Sequence, residues 1–291
     1  MTREVTGPQS RLYATRPEAR RQPLPLRELS YATTFDAPWK SRTIRALEWL
    51  TGKPRLIRVV RRFEASGVPR GQPFWRKALR EMGIKVETPA EQIARIPKTG
   101  PVVLVANHPH GLVDGVVLAE IIGRVRTDYR ILTRSLLTGI DEIAEFTIPV
   151  PFAHAADAQE GNLLMRRRAM AHLAAGGLVA LFPAGAVAVA ARPFGPAVEG
   201  AWSAFTANLV LRSRATVVPV RFPGSNSRAY HLAHHLSPVL RQGLLLHEVV
   251  AAFGKPQAPI IGEPIAFRDL AANAGDPRGL VASLRERTLA L

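Results

Sequence analysis

The alternation of apolar and polar segments along the chain predicts an α/β fold. Mainly apolar runs of strand length recur. Proline or glycine soon follows most of them, and these residues end a strand. Strands that are apolar on both faces are typical of a parallel sheet covered by helices on both sides. The predicted strands are Val102–Val105, Asp128–Thr133, Leu178–Phe182 and Thr216–Phe222. We therefore expect a mixed, mostly parallel sheet flanked by helices.

The stretches between these strands are predicted as helices. This agrees with a parallel sheet, whose strands are joined by crossover connections that are usually helical. The predicted helices of this part are Gly115–Ile122, Ser135–Phe146, Asn162–Ala175 and Ala201–Leu211. Thr147–Phe152 contains two prolines, which cannot take part in a central ladder, and is predicted as an edge strand.

The first third of the chain has a different pattern. Residues 1–35 are rich in proline, arginine and threonine without periodicity, and are predicted as an irregular basic leader. Residues 36–90 show helical spacing and are predicted as a basic amphipathic helical segment, whose first helix is capped by Ser41. Residues 91–291 then form the α/β domain. A length of 291 residues with 47% hydrophobic composition is ample for its core.

The charge of the N-terminal third indicates an anionic partner. The chain carries a formal net charge of +16, and residues 1–90 hold 19 Lys and Arg against 8 Asp and Glu, a surplus of +11. Nucleic acid, an acidic lipid surface and a phosphorylated carrier are the classes of partner that suit such an excess. Because no known DNA- or RNA-binding motif accompanies the charge, we expect an anionic membrane surface and no nucleic acid.

The predicted helices of residues 36–90 carry aliphatic and aromatic side chains on one face and arginines on the other. In one interpretation the apolar face, with Phe63, Phe74, Trp75 and Leu79, inserts into an anionic membrane interface. In the other interpretation this face packs on the α/β domain, and the arginines are merely solvated. The sequence leaves both interpretations open.

Three further features bound the class of protein. The chain has no cysteine, which excludes disulfides, thiolate nucleophiles and cysteine metal sites. No apolar core of a signal peptide lies near the N-terminus, so we expect a cytoplasmic location. The uncharged run Leu173–Ala191 approaches the length of a membrane span, but its alanines, its glycines and Pro183 predict a strand and a turn instead.

Polar residues follow the first predicted strand directly. Asn107, His108 and His110 lie at its carboxyl end, where open α/β sheets place their ligands, and Asp114 begins the next helix. One turn of chain brings His108 and Asp114 together, and a carboxylate on one imidazole nitrogen prepares the other nitrogen to accept a proton. The pair is therefore a candidate general base for the activation of a hydroxyl or an amine.

Other interpretations of these residues are open. His108 and His110 are compatible with turn residues that bond to backbone, with Asp114 as a helix cap. Two histidines and an aspartate also suit a metal ion, although nothing nearby in the sequence completes a site. A second group of histidines lacks a neighbouring carboxylate and is predicted to lie on a helix surface. It comprises His231, His234 and His235.

The turn after the first strand resembles the first motif of the glycerolipid (lysophospholipid) acyltransferase superfamily, in the variant NHPxGxxDG of a bacterial branch near the ornithine-lipid and hemolysin-like acyltransferases. The matching residues are Asn107, His108, Pro109, Gly111, Asp114 and Gly115. The resemblance implies that His108 is the catalytic base, that Asp114 orients it, and that Asn107 and Gly111 contribute to substrate binding. Five residues separate His108 from Asp114 where the common pattern has four, which leaves His110 as the alternative partner of Asp114.

Two later segments extend the resemblance. The segment FPAG after the strand 178–182 is similar to the superfamily's third motif, which shapes the floor of the substrate pocket, although Ala184 and Ala186 stand where a glutamate is familiar. The strand 216–222 resembles the fourth motif, in which a central proline borders the pocket. The predicted pocket residues are Phe182, Pro183, Gly185 and Pro219.

The resemblance covers about residues 30–270 and implies a lysophospholipid or glycerolipid O-acyltransferase of bacterial membrane lipid biosynthesis. Such an enzyme moves a fatty acyl group from an acyl carrier protein or coenzyme A thioester to the hydroxyl of a lyso-lipid, on the inner face of the cytoplasmic membrane, without a cofactor or a metal. No acyl-enzyme is expected, because cysteine and a Gly-x-Ser-x-Gly elbow are absent. The alternative is a non-catalytic protein that binds a membrane surface or nucleic acid on a decayed acyltransferase scaffold.

Overall fold

The computed structural model describes residues 30–35, 37–133, 137, 140–151, 158–271 and 275–291. The strands in this part of the chain are β1 (Val102–Ala106), β2 (Tyr129–Thr133), β3 (Thr147–Pro149), β4 (Leu178–Leu181), β5 (Val189–Ala190), β6 (Ala197–Val198), β7 (Thr216–Arg221) and β8 (Ile260–Ile261). Six of them form one sheet in the order β3-β2-β4-β1-β7-β8. Its neighbours are parallel except for β7 and β8. The strands β5 and β6 form a separate antiparallel pair.

Helices cover both faces of this sheet. They are α1 (Pro38–Thr51), α2 (Lys53–Ala65), α3 (Pro73–Met82), α4 (Ala90–Ile93), α5 (Leu112–Ile122), α6 (Ala158–Ala174), α7 (Ala204–Ser213), α8 (Arg228–Leu236), α9 (Pro238–Ala251), α10 (Phe267–Ala271) and α11 (Pro277–Leu289), with 3-10 helices at Tyr31–Thr34 and Asp141–Phe146. The predicted class, a mixed and mostly parallel sheet flanked by helices, is confirmed.

Strand β1 lies inside the sheet, which explains why its sequence is apolar throughout. Alternate side chains face opposite cores, one shared with α3 and α5 and the other with α6, α7 and α11. All five side chains are buried. The register pairs Val105 with Leu181 of β4 and with Pro219 of β7, so these three strands end at the same edge of the sheet.

One predicted connection differs from the structure. Of the helix predicted over residues 135–146, the structure has the 3-10 helix Asp141–Phe146, while residues 134–136 and 138–139 lie outside the described residues. Six residues are too few for a stable α-helix, and Thr147 is extended at once because it begins β3. The strand β3 lies at the edge of the sheet, as Pro149 and Pro151 predicted.

The apolar run 173–191 is divided among several elements. It contains the end of α6, then β4 and β5, separated by Gly176, Gly177 and the FPAG turn. Within the described residues, no helix is long and apolar enough to cross a membrane.

The helices α2 and α3 pack on the domain. Phe63, Phe74, Trp75 and Leu79 are between 0 and 5% exposed and belong to the core that α5 and β1 share. Trp75 makes edge-on contacts with the rings of Phe74 and Phe146. For these two helices the burial decides between the two open interpretations, because side chains held in the core are not available to a membrane. The arginines on their opposite faces are exposed.

The first helix begins earlier than the sequence predicted. It starts at Pro38, whose fixed backbone torsion suits the first position of a helix, and not at Ser41. The hydroxyl of Ser41 instead lies within hydrogen-bond distance of the carbonyls of Ala32 and Phe35, at 2.7 and 3.1 Å. Most of the predicted leader, residues 1–29, lies outside the described residues.

Two tryptophans test the difference between the buried and exposed helix faces. We expect Trp75→Ala to lower the free energy of unfolding by about 3–5 kcal/mol, because it opens a cavity in the core. Trp39→Ala, at a position 62% exposed, should change it by less than about 0.5 kcal/mol. Urea denaturation followed by circular dichroism measures both values. Equal losses for the two variants would contradict the packing of α3 described here.

Candidate active site

Asn107 joins the ends of two strands of the sheet. Directly after β1, its Nδ2 donates to the C=O of Phe222 at 2.9 Å, and its Oδ1 accepts the N–H of Phe222 at 2.6 Å. Phe222 follows β7, so the buried amide continues the pairing of β1 and β7 beyond the strands themselves. Asn107 therefore has a structural part, and its predicted contact with a substrate stays a prediction.

Gly111 sets the start of α5. Its φ of +70° and ψ of −126° lie in a region that glycine tolerates and other L-residues avoid. Its C=O accepts the N–H of Asp114 at 3.0 Å. Asp114 thus lies in the first turn of α5, where the helix dipole stabilises a carboxylate.

One buried carboxylate binds two histidines. Oδ2 of Asp114 lies 3.0 Å from Nδ1 of His108 and accepts the backbone N–H of His110 at 2.8 Å, while Oδ1 lies 3.1 Å from Nδ1 of His110. The side chain of Asp114 is fully buried, and the two imidazoles are 18% and 17% exposed. The predicted proximity of His108 and Asp114 is confirmed, and His110 is an additional partner and not an alternative one.

The electrostatics of this cluster fix the tautomers of both rings. Burial alone would raise the pKa of Asp114, but the hydrogen bonds from His108 and His110, together with the positive charge of either ring when it is protonated, outweigh burial and hold that pKa below its ordinary value. A charged carboxylate only accepts hydrogen bonds, so we assign a proton to each Nδ1. Each Nε2 is then free to accept a proton, which is the state a general base requires.

His108 is enclosed by the turn that follows β4. Its ring stacks on Phe182 with centroids 3.9 Å apart and planes inclined by 21°, and its C=O accepts the N–H of Ala188 at 2.9 Å. In this turn Gly185 has a φ of +65° and donates its N–H to the C=O of Phe182, and Pro183 is buried. Phe182, Pro183 and Gly185, predicted as pocket residues, therefore belong to one turn beside the histidine.

Comparison with known proteins identifies the family of this chain. A family model described as Acyltransferase matches residues 36–291. The chain belongs to this acyltransferase family. Among solved structures, it is similar to the 1-acyl-sn-glycerophosphate (LPA) acyltransferase PlsC from Thermotoga maritima, at 16% identity and a TM-score of 0.47, over 75% of this chain and 77% of that one. No curated protein gives a significant match.

Pro219 lies inside the sheet of the acyltransferase. It is buried in β7 opposite Val105, and its C=O accepts the N–H of Gly262 at 2.9 Å. A Cβ on Gly262 would stand 2.9 Å from Cγ of Pro219 and 2.8 Å from Leu291, so the proline ring packs against this neighbouring segment. Its place at the border of the substrate pocket stays a prediction.

Two histidines of α8, His231 and His234, have structural partners. Nδ1 of His231 accepts the N–H of Ala190 at 3.2 Å, and Nδ1 of His234 lies 3.1 Å from Nη1 of Arg241. His231 is buried because α8 packs on β5. Its predicted surface location is therefore wrong. Within the described residues, no group of three or more His, Asp or Glu is placed to hold a metal ion.

Sequence reasoning missed a second carboxylate beside His108. Oε2 of Glu199, which follows β6, accepts the backbone N–H of His108 at 3.2 Å across 91 positions of sequence. Glu199 is the only acidic residue between Glu160 and Glu248, a signal that singles it out in a basic chain. The long separation explains why a local motif does not reveal it.

The structural part of Asn107 is testable. We expect Asn107→Ala to lower the free energy of unfolding by about 2–4 kcal/mol, because it leaves the N–H and C=O of Phe222 buried without partners. Asn162→Ala is the matched control, since Asn162 makes one hydrogen bond to the carbonyl of Ala158 within its own helix, and it should cost less than about 1 kcal/mol. Urea denaturation measures both. A stable Asn107→Ala variant that has lost acyl transfer would instead assign Asn107 to the substrate.

Proposed function

We propose that this acyltransferase moves a fatty acyl group from an acyl thioester, borne by acyl carrier protein or coenzyme A, to the hydroxyl of a lyso-lipid in bacterial membrane lipid biosynthesis. The observation that carries the proposal is the 3.0 Å contact between Nδ1 of His108 and the buried Asp114 just after β1, because this contact leaves Nε2 of His108 as the nitrogen that accepts a proton. A general base of this kind activates a hydroxyl for attack on a carbonyl.

The proposed reaction is a direct attack. As the acceptor oxygen bonds to the thioester carbonyl carbon, its proton passes to Nε2 of His108, and Asp114 stabilises the imidazolium. The tetrahedral intermediate then collapses, the C–S bond breaks, and the imidazolium returns the proton to the departing thiolate. No residue forms a bond with the acyl group, in keeping with a chain without cysteine, and no cofactor is required beyond the thioester.

Two observations favour His108 over His110 as the base. His108 is held on its ring face by Phe182 and on its main chain by Ala188. In contrast, Nε2 of His110 faces Gly224, where a Cβ would stand only 3.2 Å from that nitrogen. The free nitrogen of His110 therefore has backbone beside it, and that of His108 is the better placed for a substrate.

The acceptor pocket is proposed to lie beside the turn after β4. Phe182, Pro183 and Gly185 shape its floor, with Pro219 at its border. Asn107 joins the strand ends that frame it, and Gly111 sets the start of α5 beside it. This turn carries alanine at positions 184 and 186, so no carboxylate of its own meets the head group. We therefore expect modest discrimination between phosphate-bearing and amine-bearing lyso-lipids.

An acyl-transfer assay tests the chemistry. Purified protein is incubated with acyl-CoA or acyl carrier protein thioester and a panel of lyso-lipids, and products are identified by mass spectrometry. We expect His108→Ala to lower kcat by a factor on the order of 10² to 10⁴, and Asp114→Asn to do nearly as much. His110→Ala should cost less than about tenfold, because Asp114 and His108 keep their contact.

The outcomes separate the alternatives. A large loss confined to His110→Ala would assign the base to that residue. Failure of the unmodified protein to acylate any acceptor with either thioester would favour the non-catalytic alternative, a scaffold that only binds a surface.

The exposed face of α1 favours an anionic membrane as the partner. Trp39, Trp49 and Leu50 are 62%, 58% and 81% exposed, and Arg42 and Arg45 lie exposed among them on the same side of the helix. Indole rings favour the membrane–water interface, and each arginine near an anionic bilayer contributes about 1 kcal/mol. This face, and not the buried faces of α2 and α3, is the surface that we propose contacts lipid.

Buried contacts on the opposite side of α1 fix the helix so that this face points to solvent. Glu48 is buried, accepts the hydroxyl of Ser30 at 2.6 Å and the N–H of Tyr31 at 2.7 Å, and lies 3.9 Å from Nζ of Lys53. Ile44, beside it, is fully buried. A fixed helix that presents tryptophan and arginine suits a protein that is cytoplasmic and peripheral on the inner face of the membrane.

Liposome sedimentation tests this surface. We expect binding to vesicles with anionic lipid, weakened as salt rises from about 0.1 M, where the Debye length is roughly 10 Å, to about 0.5 M. Replacement of Trp39, Trp49 and Leu50 by serine should abolish it. The control replaces Leu163 and Leu164, exposed leucines next to arginines on α6, by serine. Loss in the control with retention in the α1 variant would move the interface to α6.

A further inference from the structure

Glu199 is a buried carboxylate beside His108 that the reaction described above does not use. It is 4% exposed, and its Oε2 accepts the backbone N–H of His108 at 3.2 Å. Arg285 of α11 donates to the main-chain carbonyls of Glu199 and Gly200 and so fixes this segment from the other side. Glu199 is therefore held against the main chain of His108 by contacts from a helix far along the chain.

The segment of Glu199 also packs on the turn that floors the site. A Cβ on Gly200 would stand 3.9 Å from Cβ of Ala184, and the N–H of Ser203 donates to the C=O of Pro183 at 3.0 Å. The turn itself has no carboxylate, and Glu199 supplies one from an adjacent strand end. His108 thus has Asp114 at its imidazole and Glu199 at its main chain.

The charge of Glu199 is incompletely compensated. Among the described residues, neither buried Oε1 nor Nε1 of Trp202 makes a hydrogen bond of good geometry, although the indole is near enough to lower the pKa of Glu199. Burial raises the pKa of Glu199, and the His108 N–H and ring charge, Trp202 and the Arg285 charge lower it without cancelling the effect of burial. A buried negative charge with few donors of its own acts strongly on a positive charge that forms nearby.

Asp114 is shared between two histidines, so a second carboxylate is needed to stabilise an imidazolium at His108. The two oxygens of Asp114 are divided between His108 and His110, so its charge does not serve one imidazolium alone. We propose that Glu199 is a positioning residue for the base: its carboxylate fixes the main chain of His108 and supplies the further negative charge that stabilises the imidazolium formed during transfer. This inference rests on the proposed role of His108.

Glu199→Gln removes the charge and keeps a hydrogen-bond acceptor of the same shape. We expect kcat to fall about tenfold, the effect of one charge at short range inside a protein, with KM nearly unchanged. The acidic limb of the kcat profile should also move to lower pH, because loss of a nearby negative charge makes protonation of the imidazole less favourable. A residue that merely supported the fold would lower kcat without moving this limb.

Glu248→Gln is the matched control. Glu248 is also a buried carboxylate that accepts a backbone N–H, that of Ser227 at 2.9 Å, but it lies on α9. It should leave kcat and the pH profile as they are. Glu199→Asp keeps the charge and shortens the reach, so it should lower kcat with the acidic limb in place. This variant decides the question if Glu199→Gln does not fold, because unmodified kcat in Glu199→Asp would overturn the positioning role.

A double variant distinguishes failure of this inference from failure of the proposed function. In His108→Ala, addition of Glu199→Gln should change the residual rate by less than about twofold, because Glu199 acts through His108. A further tenfold loss would show that Glu199 acts on the substrate directly and would overturn the positioning role. If His108→Ala alone retains full activity, the assignment of the base fails first. If His108→Ala is inactive and Glu199→Gln is fully active with an unmoved pH profile, only the inference about Glu199 fails.

Discussion

The constraint on which the site depends is the burial of Asp114 with three donors around it. A carboxylate without solvent is costly unless hydrogen bonds replace its water, and here the two imidazoles and one backbone N–H do so. This requirement fixes the turn before α5, the left-handed region at Gly111 and the tautomer of both rings. The buried carboxylate of Asp114 therefore determines that each histidine carries its proton on Nδ1 and leaves Nε2 as the acceptor.

The sequence predicted the features that depend on neighbours along the chain. Apolar strands such as β1 are visible because both of their faces are buried, and His108 and Asp114 meet because one turn separates them. The link from Asn107 to Phe222 spans 115 positions, and the bond from Glu199 to His108 spans 91. Such contacts are set by the order of strands in the sheet, which no local pattern contains.

Amphipathic helices show a second limit of sequence reasoning. Trp75 of α3 and Trp39 of α1 both lie in helices with arginines or lysines nearby, yet one is fully buried and the other is 62% exposed. A stripe of apolar residues on a basic helix has the same form whether its partner is a protein core or a lipid surface. The structure separates the two cases because α3 lies on the core beside α5, whereas the residues of α1 that the described part of the chain buries, Ile44 and Glu48, lie on the side opposite to Trp39.

The bonds from Arg285 to the carbonyls of Glu199 and Gly200 connect the site to helix α11. During synthesis, His108 leaves the ribosome long before Arg285 is translated. The segment that supports its main chain therefore lacks an anchor until α11 has docked on the sheet. A chain without this helix carries the whole His108–Asp114 motif but not its support, so assembly of the proposed site is coupled to the docking of α11.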